Sequence, residues 1–133
     1  MINESRSLIV CQLNDLVNLT PHTINVALPS GEWVELPPSG PPARLEVDRQ
    51  QVGRILIGED TVPVYATVFG DCDGLPPPDN SHILIVSRVV AEHFPSRHDL
   101  IFPDEVIRNE KGVIIGLSSF GVVVAEQKQA EHF

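Results

Sequence analysis

A chain of 133 residues with 42% hydrophobic content holds enough apolar material for one domain with one core, and too much for a disordered segment. Its net charge of −9 argues against binding DNA or RNA as a polymer, because phosphate contacts need a positive surface. No apolar run is long enough to cross a bilayer and the start does not read as a signal peptide, so no membrane partner is expected and the cytoplasm is the expected compartment.

Twelve prolines and nine glycines divide the sequence into short intervals rich in Val, Ile and Leu, a pattern of many short strands. The expected divisions are an N-terminal extension (1–17), one globular domain (18–120) and a C-terminal tail (121–133). The run Ser7–Leu13 reads as a strand or a short helix leading in. Asn18-Leu19-Thr20-Pro21-His22 follows, a polar knot set directly before a strand. Thr20 is pushed to an extended backbone by Pro21, and Asn18 and Thr20 carry short polar arms that bond nearby backbone groups, so an ordered turn is predicted at one end of a sheet.

Thr23–Leu28 places Ile24, Val26 and Leu28 on one face, and Glu32–Leu36 places Val34 and Leu36 together. Pro29-Ser30-Gly31-Glu32 joins them as a hairpin turn. Pro37–Pro42 cannot donate to a ladder and reads as an extended edge loop. Two strands are predicted next, within Ala43–Val47 and Val52–Gly58, joined through Asp48–Gln51. Val62–Phe69 alternates after Pro63, with Val64, Ala66 and Val68 facing one way and Tyr65, Thr67 and Phe69 the other. Gly70–Ser81 carries no helix or strand signal.

Ile83–Val86 reads as a buried strand. Ser87 can cap a helix over Arg88–Phe94 that shares Val89, Val90, His93 and Phe94 on one face and stops at Pro95. Asp99–Phe102 reads as a returning strand. Val106–Leu117 reads as a second hairpin turning at Asn109-Glu110-Lys111-Gly112. The predicted fold is α+β: mostly antiparallel sheet with one short helix packed on it, and closure into a barrel would hide the edges of so many short strands.

Two segments are candidates for a site. Asn18, Thr20 and His22 can line a pocket mouth; turn chemistry alone also accounts for them. Arg97, His98 and Asp99 stand consecutively after the helix. Arg97 can hold a phosphate or carboxylate through two parallel bonds, and an Arg97–Asp99 pair that closes the loop is the competing arrangement. The chain has seven Arg against two Lys, and Arg holds planar anions through a fixed fork of donors, which brings in Arg44 as a further anion contact.

Metal and cofactor chemistry find no motif. His82, His93 and His98 with Asp99 match no zinc spacing, and Asp71 and Asp73 beside Cys72 lack the further acceptors of a calcium loop. No Gly-rich phosphate cradle and no nucleophile elbow is present, so no cofactor is expected. Cys11 and Cys72 read as free thiols.

The order of NLTPHTINV, PPSGPPARL, a Val/Tyr/Thr/Val strand, GLPPP, ILIVSRVV and PSRHDLIFPDEVIRNEKGVIIG resembles a family of small, mostly uncharacterised proteins of phages, prophages and bacteria. The resemblance runs from about Asn18 to Gly116. It implies a small intracellular accessory protein, plausibly phage-linked, and it implies no catalytic residue. The function expected is therefore non-catalytic: capture of a small anionic ligand by Asn18, Thr20, His22, Arg44, Arg97 and Asp99, in a phage setting a nucleotide signal of host defence. The alternatives are a hydrolase of nucleotides or phosphoesters with His22 or His98 as base, and a structural or protein-interaction module. Self-association stays open at this level.

Overall fold

Sheet topology places the strongest apolar run of the chain at the centre. The structure, a computed structural model, describes residues 12–124. A 3-10 turn at Leu13–Asp15 leads into β1 (Leu16–Asn18). The elements that follow are β2 (Ile24–Ala27), β3 (Trp33–Leu36), β4 (Arg44–Ile57), β5 (Asp60–Asp73), β6 (Ile83–Ile85), α1 (Arg88–His93), β7 (Leu100–Pro103), β8 (Val106–Arg108), β9 (Ile114–Leu117) and β10 (Phe120–Gly121). One sheet has the order β1-β6-β7-β10 and a second the order β3-β2-β9-β8, while β4 and β5 pair only with each other.

Strand β6 explains the layering. Successive strand side chains point to opposite faces. Leu84 and Val86 therefore join the cluster formed with Leu19, Ala43, Val90, Ala91, Leu100 and Phe102. Ile85 points the other way and joins Ile24, Leu36, Ile101 and Leu117. Strand β7 divides likewise, with Leu100 and Phe102 on one side and Ile101 on the other. The first sheet is thus covered on both faces, by α1 and the root of the β4–β5 ribbon on one side and by the second sheet on the other. A strand buried on both faces has no use for polar alternation, which is why Ile83–Val86 is unbroken apolar sequence. β1, β6 and β7 run parallel, and α1 is the crossover between β6 and β7.

The fold is α+β, mostly strand with one short helix on the sheet, and the two predicted hairpins form: β2 with β3 and β8 with β9, both antiparallel. No sheet closes into a barrel among the described residues; both four-stranded sheets stay open. Stacking one sheet on the other buries their facing sides and leaves β1, β10, β3 and β8 as edge strands.

Four local expectations are corrected. Leu16 and Val17 are part of the sheet, paired with Ile83 and Leu84, ahead of the knot. The two short strands predicted around Asp48–Gln51 are one 14-residue strand, β4, because its partner β5 is equally long and pairs through that stretch. Gly70–Asp73 continues β5 rather than beginning a loop. The buried face of α1 is Val90 and Ala91, with Phe94 half-buried, whereas Val89 and His93 are exposed. Val89 lies about 100° around the helix from Val90 and about 200° from Ala91, so a face centred on those two leaves it at the solvent side. Ser87 caps the helix as predicted, its hydroxyl accepting from the Val90 N–H at 3.3 Å. The predicted element over Ser7–Leu13 lies outside the described residues up to Cys11.

The ribbon is the feature that composition and local pattern do not announce. The alternation predicted for Val62–Phe69 is present, yet neither face of the outer ribbon meets the core. Every residue of β4 and β5 except Leu45, Ala66 and Cys72 is exposed. Leu45 and Cys72, opposite one another in the register, pack against the core at the root. The His93 ring lies edge-on to Phe69 at 5.9 Å and to Phe94 at 5.3 Å, so the helix end braces the ribbon where it leaves the body.

Candidate functional site: the knot, the Pro-rich loop and the cleft between them

Asn18 is the only buried polar side chain among the described residues, at 2% exposure. Its amide nitrogen donates to the carbonyls of His22 and Leu36, both at 2.9 Å. Its amide oxygen accepts from the Thr20 N–H at 2.9 Å and from the Thr20 hydroxyl at 2.7 Å. A primary amide has two donors and two lone pairs, and here all four are engaged. Its backbone is held as well: the Asn18 N–H donates to the Ser39 hydroxyl and its carbonyl accepts from the Ser39 N–H. The knot is therefore a clasp that fastens the end of β1 to the end of β3 and to the proline loop. Leu19 extends it, donating to the Ile85 carbonyl and accepting from the Ala43 N–H.

Arg97 is similarly committed. Its Nε donates to Asp99 Oδ1 and its Nη2 to Asp99 Oδ2, both at 2.8 Å, and Nη2 also reaches the Pro76 carbonyl at 3.0 Å. The two side chains are only 16% and 11% exposed. The hydrogen bonds from Arg97 hold the Asp99 carboxyl below the usual carboxylate range, and Asp99 in turn raises the Arg97 guanidinium. The pair closes the loop after α1 and pins the Pro-rich segment. A second tie holds that segment: Asp79 accepts from the Ser81 N–H and hydroxyl and contacts His82 Nδ1 at 3.0 Å. The Ser81 backbone and then His82 lower the Asp79 carboxyl to about 2.

Between these fastenings lie three neighbouring concave surfaces. A cleft of about 410 Å³ is lined by Leu19, Ser39, Gly40, Pro41, Gly74, Leu75 and Pro76. It sits at the ribbon root, with the knot on one wall and the Arg97-held Pro76 on the other. Gly74 shapes it: the residue has φ +84°, and a Cβ there would lie 2.6 Å from the Pro42 carbonyl oxygen. The other two surfaces, of about 340 and 150 Å³, share Asp79, His82 and Asp99. Two carboxylates facing these hollows oppose an anionic occupant.

The sequence-predicted site residues thus divide. Asn18 and Thr20 build the wall of the root cleft through Leu19 and Ser39. Arg97 and Asp99 build the opposite wall through Pro76. Arg44 follows Ala43 at the same root, exposed, and forms no ion pair among the described residues. His22 and His98 are exposed and neither ring is hydrogen-bonded among the described residues, so neither has a carboxylate to orient it or a nucleophile to activate. Among the described residues no three or more His, Cys, Asp or Glu side chains converge as a metal site. Cys72 is a free thiol, raised above its ordinary pKa by burial and then by Asp73; Cys11 lies outside the described residues. The cleft-lining Leu19, Ser39, Gly74 and Leu75 escape sequence reasoning because each looks like ordinary core or turn material. Gly74 before a run of prolines is the one local sign of a forced chain approach. No family model, curated protein or solved structure matches the chain.

Proposed function

We propose that this protein acts by binding rather than by chemistry, and that it captures a small anionic ligand in the cleft at the ribbon root. The observation that carries this reading is the cleft itself. Its roughly 410 Å³ falls in the range of small-molecule sites, and its two walls are fixed by the two segments that stand out in the sequence. Rigid walls favour binding, since little freedom remains to be lost when a ligand enters. Leu19, Leu75, Pro41 and Pro76 offer an apolar floor suited to a planar ring, and the exposed Arg44, next in sequence to the buried Ala43 but outside the cleft lining, is the nearest candidate in sequence for a phosphate contact. In the phage setting that the sequence resemblance implies, the corresponding ligand is a nucleotide signal. The hydrolase alternative is the weaker one, because the candidate histidines lack the partners that general-base catalysis uses.

The test is mass spectrometry of small molecules released by heating the purified protein, with the same measurement on Arg44→Ala. A phosphorylated nucleotide recovered intact from the wild type and depleted in the variant supports the reading. Recovery of a cleaved product, formed only while His22 and His98 are present, would overturn it in favour of the hydrolase. An empty protein that also fails to retain added nucleotides in equilibrium dialysis would overturn both.

A further inference from the structure

We infer that the root cleft grips the uncharged base and sugar of a single nucleoside unit, with Ser39 as the side chain that orients it and the phosphate left outside. The inference rests on the reading of this cleft as the ligand site and names the part of the ligand that the protein recognises.

Charge comes first. None of the residues that line the cleft has an ionisable side chain. Arg97, tied to the wall through the Pro76 carbonyl, is neutralised by its two bonds to Asp99. Arg44 is exposed and outside the lining. A phosphate drawn into such a cleft would leave water and meet no counter-charge, which is costly. It stays in solvent instead, where an exposed contact with Arg44 adds little.

Shape comes second. The lining is apolar and stiff. Pro41 and Pro76 contribute rings with no rotamer freedom to lose. The chain on either side of Gly40 and Pro41 is fixed, with the Ser39 N–H donating to the Asn18 carbonyl and the Ala43 N–H to the Leu19 carbonyl. A flat, uncharged ring therefore enters a site that is already ordered. A nucleoside fills on the order of 300 Å³ at the packing density of organic crystals. The cleft, at about 410 Å³, takes one base with its sugar and not two.

Ser39 supplies orientation. It is the one lining residue with a polar side chain. Its Oγ accepts from the Asn18 N–H at 2.9 Å, which fixes the oxygen. Its hydroxyl proton has no acceptor among the described residues. A hydroxyl has one donor and two lone pairs, so the donor and one lone pair are left for a ligand. The polar side chains of the knot behind it are spent: the Asn18 amide on Thr20, His22 and Leu36, and the Thr20 hydroxyl on Asn18 and His22. A single anchored polar group beside an apolar floor is the arrangement that fixes the pose of a small molecule.

The experiment is equilibrium dialysis of the full chain against adenosine, guanosine, cytidine and uridine, their 5′-monophosphates, and ribose 5-phosphate. At least one nucleoside should be retained, within about tenfold of its own monophosphate and nearly independent of salt. Ribose 5-phosphate should bind at least about a hundredfold more weakly than that monophosphate. Ser39→Ala should weaken nucleoside and monophosphate alike by about five- to tenfold, and Ser39→Thr should restore both. Arg44→Ala should weaken the monophosphate alone. Ser39 also receives the Asn18 N–H, so binding by the variants is read well below their thermal midpoints, and the wild-type comparison of nucleoside with ribose 5-phosphate stands without any variant. Monophosphates that bind while every nucleoside fails, or ribose 5-phosphate that binds as well as they do, would overturn the inference and leave the ligand reading intact. Unchanged affinity in Ser39→Ala would overturn the role of Ser39. Retention of neither nucleosides nor monophosphates would overturn the ligand reading, and the inference with it.

Discussion

Replacing Asn18 by alanine tests whether the knot is a clasp or a by-product of folding. The substitution strands several groups at once. The Leu36 carbonyl loses its partner in a wholly buried bond, which costs about 1–3 kcal/mol. The Thr20 N–H loses its acceptor at a part-buried position, for roughly 0.5–1.5 kcal/mol. The His22 carbonyl keeps the Thr20 hydroxyl at 3.1 Å and adds little. The expected loss is about 2–4 kcal/mol, a large share of the 5–15 kcal/mol by which domains of this kind are stable. Urea denaturation at pH 7 reads it as a lower midpoint with an unchanged slope. Thr20→Val is the internal comparison and should lose less, since its hydroxyl sits at the wetter end of the network. Asn18→Asp keeps the shape but sets acceptors against two carbonyls, so it should lose at least as much as alanine at pH 7. Burial raises the pKa of the new carboxyl, so that loss should narrow as the pH falls and the group gains a proton to donate. An Asn18→Ala midpoint equivalent to less than about 0.5 kcal/mol would refute the reasoning, because the four bonds would then be replaced by water at no cost.

Two further predictions concern the fastening of the loop and the packing of the second sheet. Arg97→Ala leaves the Asp99 carboxylate nearly buried without its partner and should destabilise by about 1–3 kcal/mol in urea denaturation, with Arg97→Lys recovering only part of it. Because Asp99 is lowered in the folded protein, its contribution is present above the unfolded carboxylate pKa of about 3.9 and is lost as the pH falls through the folded value. The gap between wild type and Arg97→Ala should therefore shrink below about pH 4, and a gap that stays constant from pH 7 to 2 would show that the ion pair is not its source. At Gly116, a Cβ would lie 2.7 Å from the Asn25 carbonyl oxygen and against the Trp33 ring, so Gly116→Ala should cost about 1–3 kcal/mol and move the Trp33 fluorescence.

How far the sequence discloses this molecule depends on the range of the interaction that decides each element. Turns and caps are local and legible. Pro29–Glu32 and Asn109–Gly112 turn the two hairpins, and Ser87 caps α1, each on the strength of residues within a few positions. The clasp is legible for the same reason, since Asn18, Thr20 and His22 lie within five residues of one another. The reach of Asn18 to Leu36 and Ser39 is not, because it depends on β1 and β3 being brought together by strands far apart in the chain. Arg97 and Asp99 are recognisable as a pair, but the Pro76 carbonyl that makes the pair a wall of the cleft is 21 residues away.

The ribbon shows the deeper limit. Alternation reports that a segment is a pleated strand with two unlike faces; it does not report what covers them. In β6 the cover is supplied from the same chain on both sides, and the result is a core strand with Ile85 and Val86 at 0% exposure. In β4 and β5 comparable Val, Ile and Leu content finds no cover within the described residues beyond Leu45, Cys72 and the Phe69–His93 contact at the root. The two segments look alike in composition because the physical demand is alike: both carry apolar surface that water penalises. They differ in that strands and a helix of the same chain cover β6, whereas the outer β4–β5 ribbon stands exposed among the described residues. Acidic residues stand at both ends of the ribbon, Glu46 and Asp48 toward the root and Glu59 and Asp60 at the tip, and keep its charge in line with the rest of the chain.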